Sequence, residues 1–241
     1  MSVVTTRVAV IGANGRMGSV TCAAIEQEPD LELVARISSS DSLQAVLDAG
    51  ADVAVEFTTP ESVAANTRWL LERGVHTVVG ATGLSDGDLE DLEGLVGPAH
   101  CVVAPNFAIG AVLLMRLAAE VAPYLPQVEI IELHHDRKLD APSGTALRTA
   151  RLIAQARASA PEVPGPAGHP ARGLTIEGIP VHSVRLQGVV ASEEVVFGGQ
   201  GQTLTLRHDS IDRSSFMPGV LLAVRKVAGR PGLTVGLEAL L

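Results

Sequence analysis

Residues 7–18, RVAVIGANGRMG, run from a short apolar segment through three glycines, and SVTCAAIEQE (19–28) follows with the composition of a helix. An apolar run of this length without polar alternation suits a parallel strand buried on both faces. Gly12, Gly15 and Gly18 permit a tight turn and close approach of backbone to a phosphate. The free N–H groups and dipole of the following helix attract negative charge. The stretch therefore reads as a pyrophosphate cradle. Its G-x-x-G-x-x-G spacing departs from the usual G-x-G-x-x-G, and a glycine triplet alone also makes an ordinary turn, so the surrounding pattern has to decide.

That pattern is repeated alternation: LELVARI (31–37), a helix near SLQAVLDAG (42–50), ADVAVEFT (51–58), a helix from Pro60 to Arg73, HTVVGATG (76–83), a helix from Asp86 to Val96, and HCVVAPNF (100–107). Strand–helix units in series imply an α/β fold, a Rossmann-like doubly wound parallel sheet. Thr59 suits an N-cap with Pro60 at the first helical position, and Ser85 with Asp88 resembles a capping box. In such sheets ligands bind beyond the carboxyl ends of the strands, here EFTTP, GATG and APNF. A dinucleotide site is expected there. The acidic residue normally found about 20 positions on, which binds the adenosine ribose, is replaced by Ser38-Ser39-Ser40. With Arg16 and Arg36 available for a 2′-phosphate, NADPH is expected to be accepted at least as readily as NADH, unless Asp41 reaches back.

Composition removes other classes. The net charge is −9 and only six residues are aromatic, which leaves neither a phosphate-tracking basic face nor a base-stacking platform. Arg116 and Glu120 interrupt the best apolar run, IGAVLLMRLAAEVAPYL (109–125), well short of the roughly 20 residues that span a bilayer. No secretory signal is apparent in MSVVTTRVAVIGANG, so a cytoplasmic location is expected. Cys22 and Cys101 lie in apolar surroundings and read as buried reduced thiols.

After residue 108 the rhythm changes. GAVLLMRLAAEVAPYL reads as a helix and QVEIIEL (127–133) as a strand. PEVPGPAGHPARG (161–173) reads as a loop, and IPVHSVRL, GVVASEEVVFGG and QTLTLRHDS as antiparallel strands. These make a second α+β domain, from about 108 to 214, with a mixed, largely antiparallel sheet. SFMPGVLLAVRKVAG (215–229) then reads as a helix and GLTVGLEALL as a short strand or coil.

The chemistry concentrates in ELHHDRKLDAPSGTAL (132–147). Three readings compete. Metal binding by His134, His135, Asp136 and Asp140 is disfavoured, because neighbours on a strand point to opposite faces and no HExxH-like spacing helps them. A solvated loop explains charge but not clustering. An anion site fits best: Arg137, Lys138 and two imidazoles concentrate positive charge in an acidic chain, and SGT presents N–H groups at the start of the helix TALRTARLIAQA. A carboxylate fits there, and a His or Lys beside a hydride acceptor can protonate or stabilise it.

At this point the chain resembles the dihydrodipicolinate reductase (4-hydroxy-tetrahydrodipicolinate reductase) family, through GANGRMG, EFTTPE, GATG, APNFAIG, ELHHDRKLDAPSGTA and HDSIDRSSFMPG, which fall in order along the whole chain. The resemblance implies NAD(P)H-dependent reduction of the cyclic imine dicarboxylate 4-hydroxy-tetrahydrodipicolinate to tetrahydrodipicolinate, in diaminopimelate and lysine synthesis. It implies His134 and Lys138 as proton donors, and His135, Ser143, Gly144 and Thr145 against the substrate. It also implies cofactor contacts from Gly12, Ala13, Asn14, Gly15, Arg16, Met17, Ser38, Gly80, Ala81, Thr82, Ala104, Pro105, Asn106 and Phe107, with NADPH or NADH and no metal. Residues 1–107, completed by 215–241, would bind dinucleotide. Residues 108–214 would bind substrate and build a homotetramer. Ala81 departs from the threonine usual at the middle of GTTG, and Ser38 from the usual acidic residue. Two rivals stand beside this reading: a homoserine or aspartate-semialdehyde dehydrogenase, the latter needing a nucleophilic cysteine, and a nicotinamide-sensing protein that binds without catalysis.

Overall fold

The computed structural model describes residues 5–95, 97–157 and 170–241. Residues 161–169 of the expected 161–173 loop, and the end of the helix at Val96, lie outside them. In chain order the strands and helices are β1 (Thr6–Ile11), α1 (Arg16–Ile25), β2 (Leu31–Ile37), α2 (Gln44–Asp48), β3 (Val53–Glu56), α3 (Val63–Glu72), β4 (His76–Val79), α4 (Asp86–Leu95) and β5 (Cys101–Val103). They continue with α5 (Ile109–Val121), β6 (Gln127–His134), α6 (Gly144–Arg157), β7 (Leu174–Ile176), β8 (Ile179–Arg185), β9 (Ala191–Gly199), β10 (Gln202–Ser210), α7 (Met217–Val227) and β11 (Leu233–Val235). Two compact units result: Met1–Phe107 with Phe216–Leu241, and Ala108–Ser215.

The first unit is a six-stranded sheet in the order β11-β5-β4-β3-β1-β2, parallel throughout. All four residues of β3 and all three of β5 are buried, as strands covered on both faces require. On one face Ala9, Ile11, Ala54 and Val46 pack with Leu70 of α3, and Val79, Cys101 and Val103 pack with Leu71 and Leu92. Helix α7 packs against α1, β4 and β5. Each buried Val, Leu or Ile side chain among them contributes about 1.5–3 kcal/mol by leaving water. The chain leaves β1 for β2 on one side, while β3 lies on the other. The end of β1 is therefore a topological switch point, where open α/β sheets bind ligands.

Two local expectations meet different outcomes. The Ser85–Asp88 capping box forms: the Ser85 N–H and hydroxyl donate to Asp88 Oδ2 at 2.8 and 2.6 Å, and the Asp88 N–H donates to Ser85 Oγ at 3.2 Å. Thr59, by contrast, does not cap a helix at Pro60. Helix α3 begins at Val63, because the Thr59 carbonyl takes the N–H groups of both Ser62 and Val63, at 3.0 Å each, and residues 60–62 form a turn instead.

The second unit is a five-stranded sheet in the order β10-β9-β6-β8-β7. Helices α5 and α6 cover one face, where Leu114, Ala118, Ala150 and Ile153 meet Ile130, Ile179, Val195 and Phe197. Strand β9 runs antiparallel between β6 and β10. Strand β8 corrects the sequence reading: it lies parallel to β6, because α6 carries the chain back across the sheet in a β–α–β crossover. The three-residue edge strand β7, which the sequence reading did not anticipate, pairs antiparallel with β8. At the chain end, β11 pairs in parallel with β5, choosing strand over coil.

Candidate active site

The cofactor candidates of the first unit all stand at carboxyl ends of its strands: Gly12–Met17 after β1, Ser38 after β2, Gly80–Thr82 after β4, and Ala104–Phe107 after β5. The glycine turn is held from within. Gly12 has φ +78°, and a Cβ there would lie 2.5 Å from the Phe57 carbonyl oxygen; one on Gly18 would lie 2.1 Å from the Gly12 carbonyl oxygen. The Gly12 and Ala13 N–H groups donate to Ile37 O at 2.9 and 3.0 Å, and that of Gly15 to Gly12 O at 2.9 Å. The first turn of α1, with the Arg16 and Met17 N–H groups, offers an anion donors that helix geometry leaves without an intrahelical acceptor. No side chain caps that helix, so its N-terminus suits a phosphate.

At the ends of β3 and β4 the organiser is Glu56, which the sequence reading left without a role. Its buried carboxylate accepts from the Thr58 hydroxyl and, at 3.1 Å, from Asn66 Nδ2. Its backbone carbonyl accepts the N–H groups of Gly80 and Ala81 at 3.0 and 3.2 Å. Burial pushes the Glu56 carboxyl upward, against the pull of Thr58 and Asn66. Gly80 is glycine for packing: a Cβ would press on the rings of Phe57 and Phe107, which meet edge to face at 6.1 Å.

The ribose end differs from the expectation. Asp41 reaches back: its Oδ2 accepts from the Ser38 N–H at 2.8 Å and the Ser38 hydroxyl at 2.5 Å. These bonds hold its carboxyl below the usual range. A charged carboxylate therefore stands at the end of β2 after all. Arg36, considered for a 2′-phosphate, instead pairs with Glu26 at 2.6 Å.

In the second unit His134 ends β6, His135 and Lys138 occupy the turn that follows, and Ser143–Thr145 open α6. His134 Nδ1 lies 2.5 Å from Glu132 Oε2. Arg185, at the end of β8, spans the same carboxylate with Nη1 at 3.0 Å and Nη2 at 2.8 Å, and Nη2 also donates to the Asp140 carbonyl at 2.6 Å. Lys138 Nζ pairs with Asp140 at 2.8 Å. Ser143 turns inward where the resemblance implied a substrate contact. It is 2% exposed, its hydroxyl accepts the Ala146 N–H at 3.2 Å as a helix cap, and its own N–H donates to Glu132 at 3.3 Å. Gly144 is the open position, where a Cβ would meet nothing within 4 Å.

Two carboxylates dominate the electrostatics. Burial alone would raise Glu132, but hydrogen bonds from His134, Arg185 and Ser183 outweigh it and hold its pKa at about 2. Glu193 faces Glu132 across β6 and β9. Burial, helped by the Glu132 charge and only partly countered by Thr149, pushes it up to about 7. Neither had a role in the sequence reading. The signal for Glu132 was present, since positions two apart on a strand share a face. Arg185 was hidden by the misread direction of β8.

Among the described residues no three His, Cys, Asp or Glu side chains are grouped to hold a metal ion, and no helix is long and apolar enough to cross a membrane. Cys101 is fully buried, with its thiol pushed up to about 12 by desolvation, and burial likewise raises Cys22. Neither is a nucleophile of the kind a semialdehyde dehydrogenase needs.

Comparison with known proteins identifies the family. The profile of the dihydrodipicolinate reductase N-terminus matches residues 6–107, and that of the dihydrodipicolinate reductase C-terminus matches residues 110–241. The 4-hydroxy-tetrahydrodipicolinate reductase of Mycolicibacterium vanbaalenii is 51% identical over 241 residues, covering 98% of each chain. That of Nocardia farcinica is 52% identical over 245 residues, covering 98% of this chain and 99% of its own. Among solved structures, the dipicolinate-bound dihydrodipicolinate reductase of Paenisporosarcina sp. TG-14 superposes with a TM-score of 0.87 at 39% identity, covering 98% of this chain and all of that one.

Proposed function

Because the chain belongs to the dihydrodipicolinate reductase family, and so reduces 4-hydroxy-tetrahydrodipicolinate to tetrahydrodipicolinate with NAD(P)H in diaminopimelate and lysine synthesis, we propose how its own residues divide that work. The observation that carries the reading is the end of β6. There an imidazole, a lysine and a glycine-opened helix start converge within twelve residues. The first unit holds the nucleotide: the first turn of α1 takes the pyrophosphate, and the GATG and APNF strand ends carry the remaining contacts, mostly through backbone atoms. Bound NAD(P)H supplies the hydride. Gly144 and Thr145 of the second unit, with His135, grip a substrate carboxylate at the helix N-terminus. His134 and Lys138 supply the proton that the reduced ring requires. Ser143 serves as the cap that keeps this turn in shape rather than as a ligand.

For the cofactor, Asp41 favours NADH: its carboxylate can accept from a ribose hydroxyl and repels a 2′-phosphate. For assembly, Ile131, Leu133, Val184 and Val196 lie half-buried on the sheet face turned away from the α5 and α6 core. This supports a homotetramer built through that sheet. Light scattering on purified protein tests it, with a monomer as the adverse result. The activity itself is tested by adding freshly generated substrate to enzyme with each nicotinamide and following the absorbance of the reduced form. A flat trace with both would leave only a nicotinamide-binding sensor.

A further inference from the structure

Glu132 sits at the centre of the second unit's polar cluster. It is fully buried, and donors from three separate elements converge on its two oxygens. Oε2 meets His134 Nδ1 at 2.5 Å and Arg185 Nη1 at 3.0 Å; Oε1 meets Arg185 Nη2 at 2.8 Å and the Ser143 N–H at 3.3 Å. One carboxylate thereby fixes the ring at the end of β6, the arginine at the end of β8 and the residue that opens α6. An ionised carboxylate only accepts hydrogen bonds. The imidazole nitrogen facing it must therefore carry a proton, which leaves Nε2 as the atom turned toward a ligand.

From this geometry we infer that Glu132, itself clamped by Arg185, is a positioning residue for the reduction: it sets the ring orientation and tautomer of His134 so that Nε2 is the proton-transferring atom. The inference rests on the reading of His134 as proton donor. In the step it serves, the Nε2–H bond breaks and the proton passes to the electron-rich ring of the substrate as hydride arrives from NAD(P)H. The bonding pair stays on Nε2, and the imidazole is left neutral with its proton on Nδ1, still donated to Glu132. Solvent then restores the proton at Nε2. Glu132 on its own strand touches this ring; Arg185 on β8 and Glu193 on β9 lie beside that carboxylate, and His135 and the Lys138–Asp140 pair follow in the next turn.

The first test needs no variant at the carboxylate. In the full-length protein with 15N-labelled histidine, two-bond proton–nitrogen correlation at a pH where the ring is neutral should show His134 as the Nδ1–H tautomer, the signal being assigned by its loss in His134→Gln. An Nε2–H tautomer overturns the inference even if every Glu132 variant misfolds. The second test is kinetic. Glu132→Gln should lower kcat by roughly 10- to 100-fold, the scale of carboxylate partners to functional histidines, with the substrate KM held within about twofold. It should also move the basic limb of the kcat–pH profile to lower pH, and Glu132→Asp should restore part of kcat. If His134→Gln is inactive while Glu132→Gln keeps the wild-type rate and profile, this inference fails alone. If His134→Gln keeps the wild-type rate, the proton-donor reading itself has failed.

Discussion

Replacing Glu193 by Gln isolates the energetic consequence of burying a second carboxyl beside Glu132. Glu193 is 5% exposed, its Oε1 has no hydrogen-bond partner, and its pKa rises from an ordinary 4.5 to about 7. A displacement of that size corresponds to about 3 kcal/mol. The sign follows from which state holds the proton. Between pH 4.5 and 7 the folded chain keeps it and the unfolded chain releases it, so this contribution to stability is intact below pH 4.5, falls as pH rises, and is lost above about pH 7. Glutamine, neutral throughout, has no such dependence. Urea unfolding of both proteins from pH 4.5 to 8.5 should show curves that diverge, the variant gaining about 3 kcal/mol on the wild type by the alkaline end. Glu132 acts in the opposite direction, losing its contribution as pH falls from 4.5 toward 2, but it is common to both proteins and cancels in the difference. Parallel curves across the whole range would refute the reasoning, because they would mean that Glu193 is ionised in the folded protein at ordinary cost.

Other outcomes are as specific. His134→Gln and Lys138→Ala should each reduce kcat by about 100-fold or more, as loss of a general acid does, whereas Thr145→Ala should mainly raise the substrate KM; steady-state kinetics separates the two. Asp41→Ala should narrow the gap between the nicotinamides by lowering the NADPH KM roughly fivefold through loss of repulsion between exposed charges, and an unchanged ratio of the two KM values would count against a ribose role. Phe197→Ala, at a fully buried position among Ile130, Ile179 and Val195, should cost about 3–5 kcal/mol of unfolding free energy in the second unit, measured by denaturant titration.

The alternation of the first hundred residues was legible because strands buried on both faces are nearly pure apolar runs, and because glycine, proline and capping residues punctuate them. The start of α3 was not. Thr59-Pro60 satisfies the rules of a helix N-terminus, yet the Thr59 carbonyl closes a turn first. In the second unit, short mixed strands carry no mark of direction, so the parallel pairing of β6 with β8, and with it the arrival of Arg185 beside His134, could only come from the folded chain. The histidine, lysine and helix-opening residues of the candidate site were plain from their clustering. The carboxylates that hold them were less so, because a lone Glu in a strand looks like a solvent-facing position until its partners are known. Asp41 stands three residues beyond Ser38 in the sequence, but no rule of spacing says whether a loop aspartate will fold back on a serine.

The tight fit at Gly12 and Gly18 bears on how the nucleotide site can be probed. Since an added methyl would collide with main-chain atoms, those of Phe57 at Gly12 and those of Gly12 at Gly18, an alanine scan there reports breakage of the scaffold, and weakened cofactor affinity in such mutants would be uninformative about phosphate contact. Exposed Asn14 and Arg16, whose side chains can be trimmed without disturbing that interlock, are the places where loss of binding would mean loss of a touch.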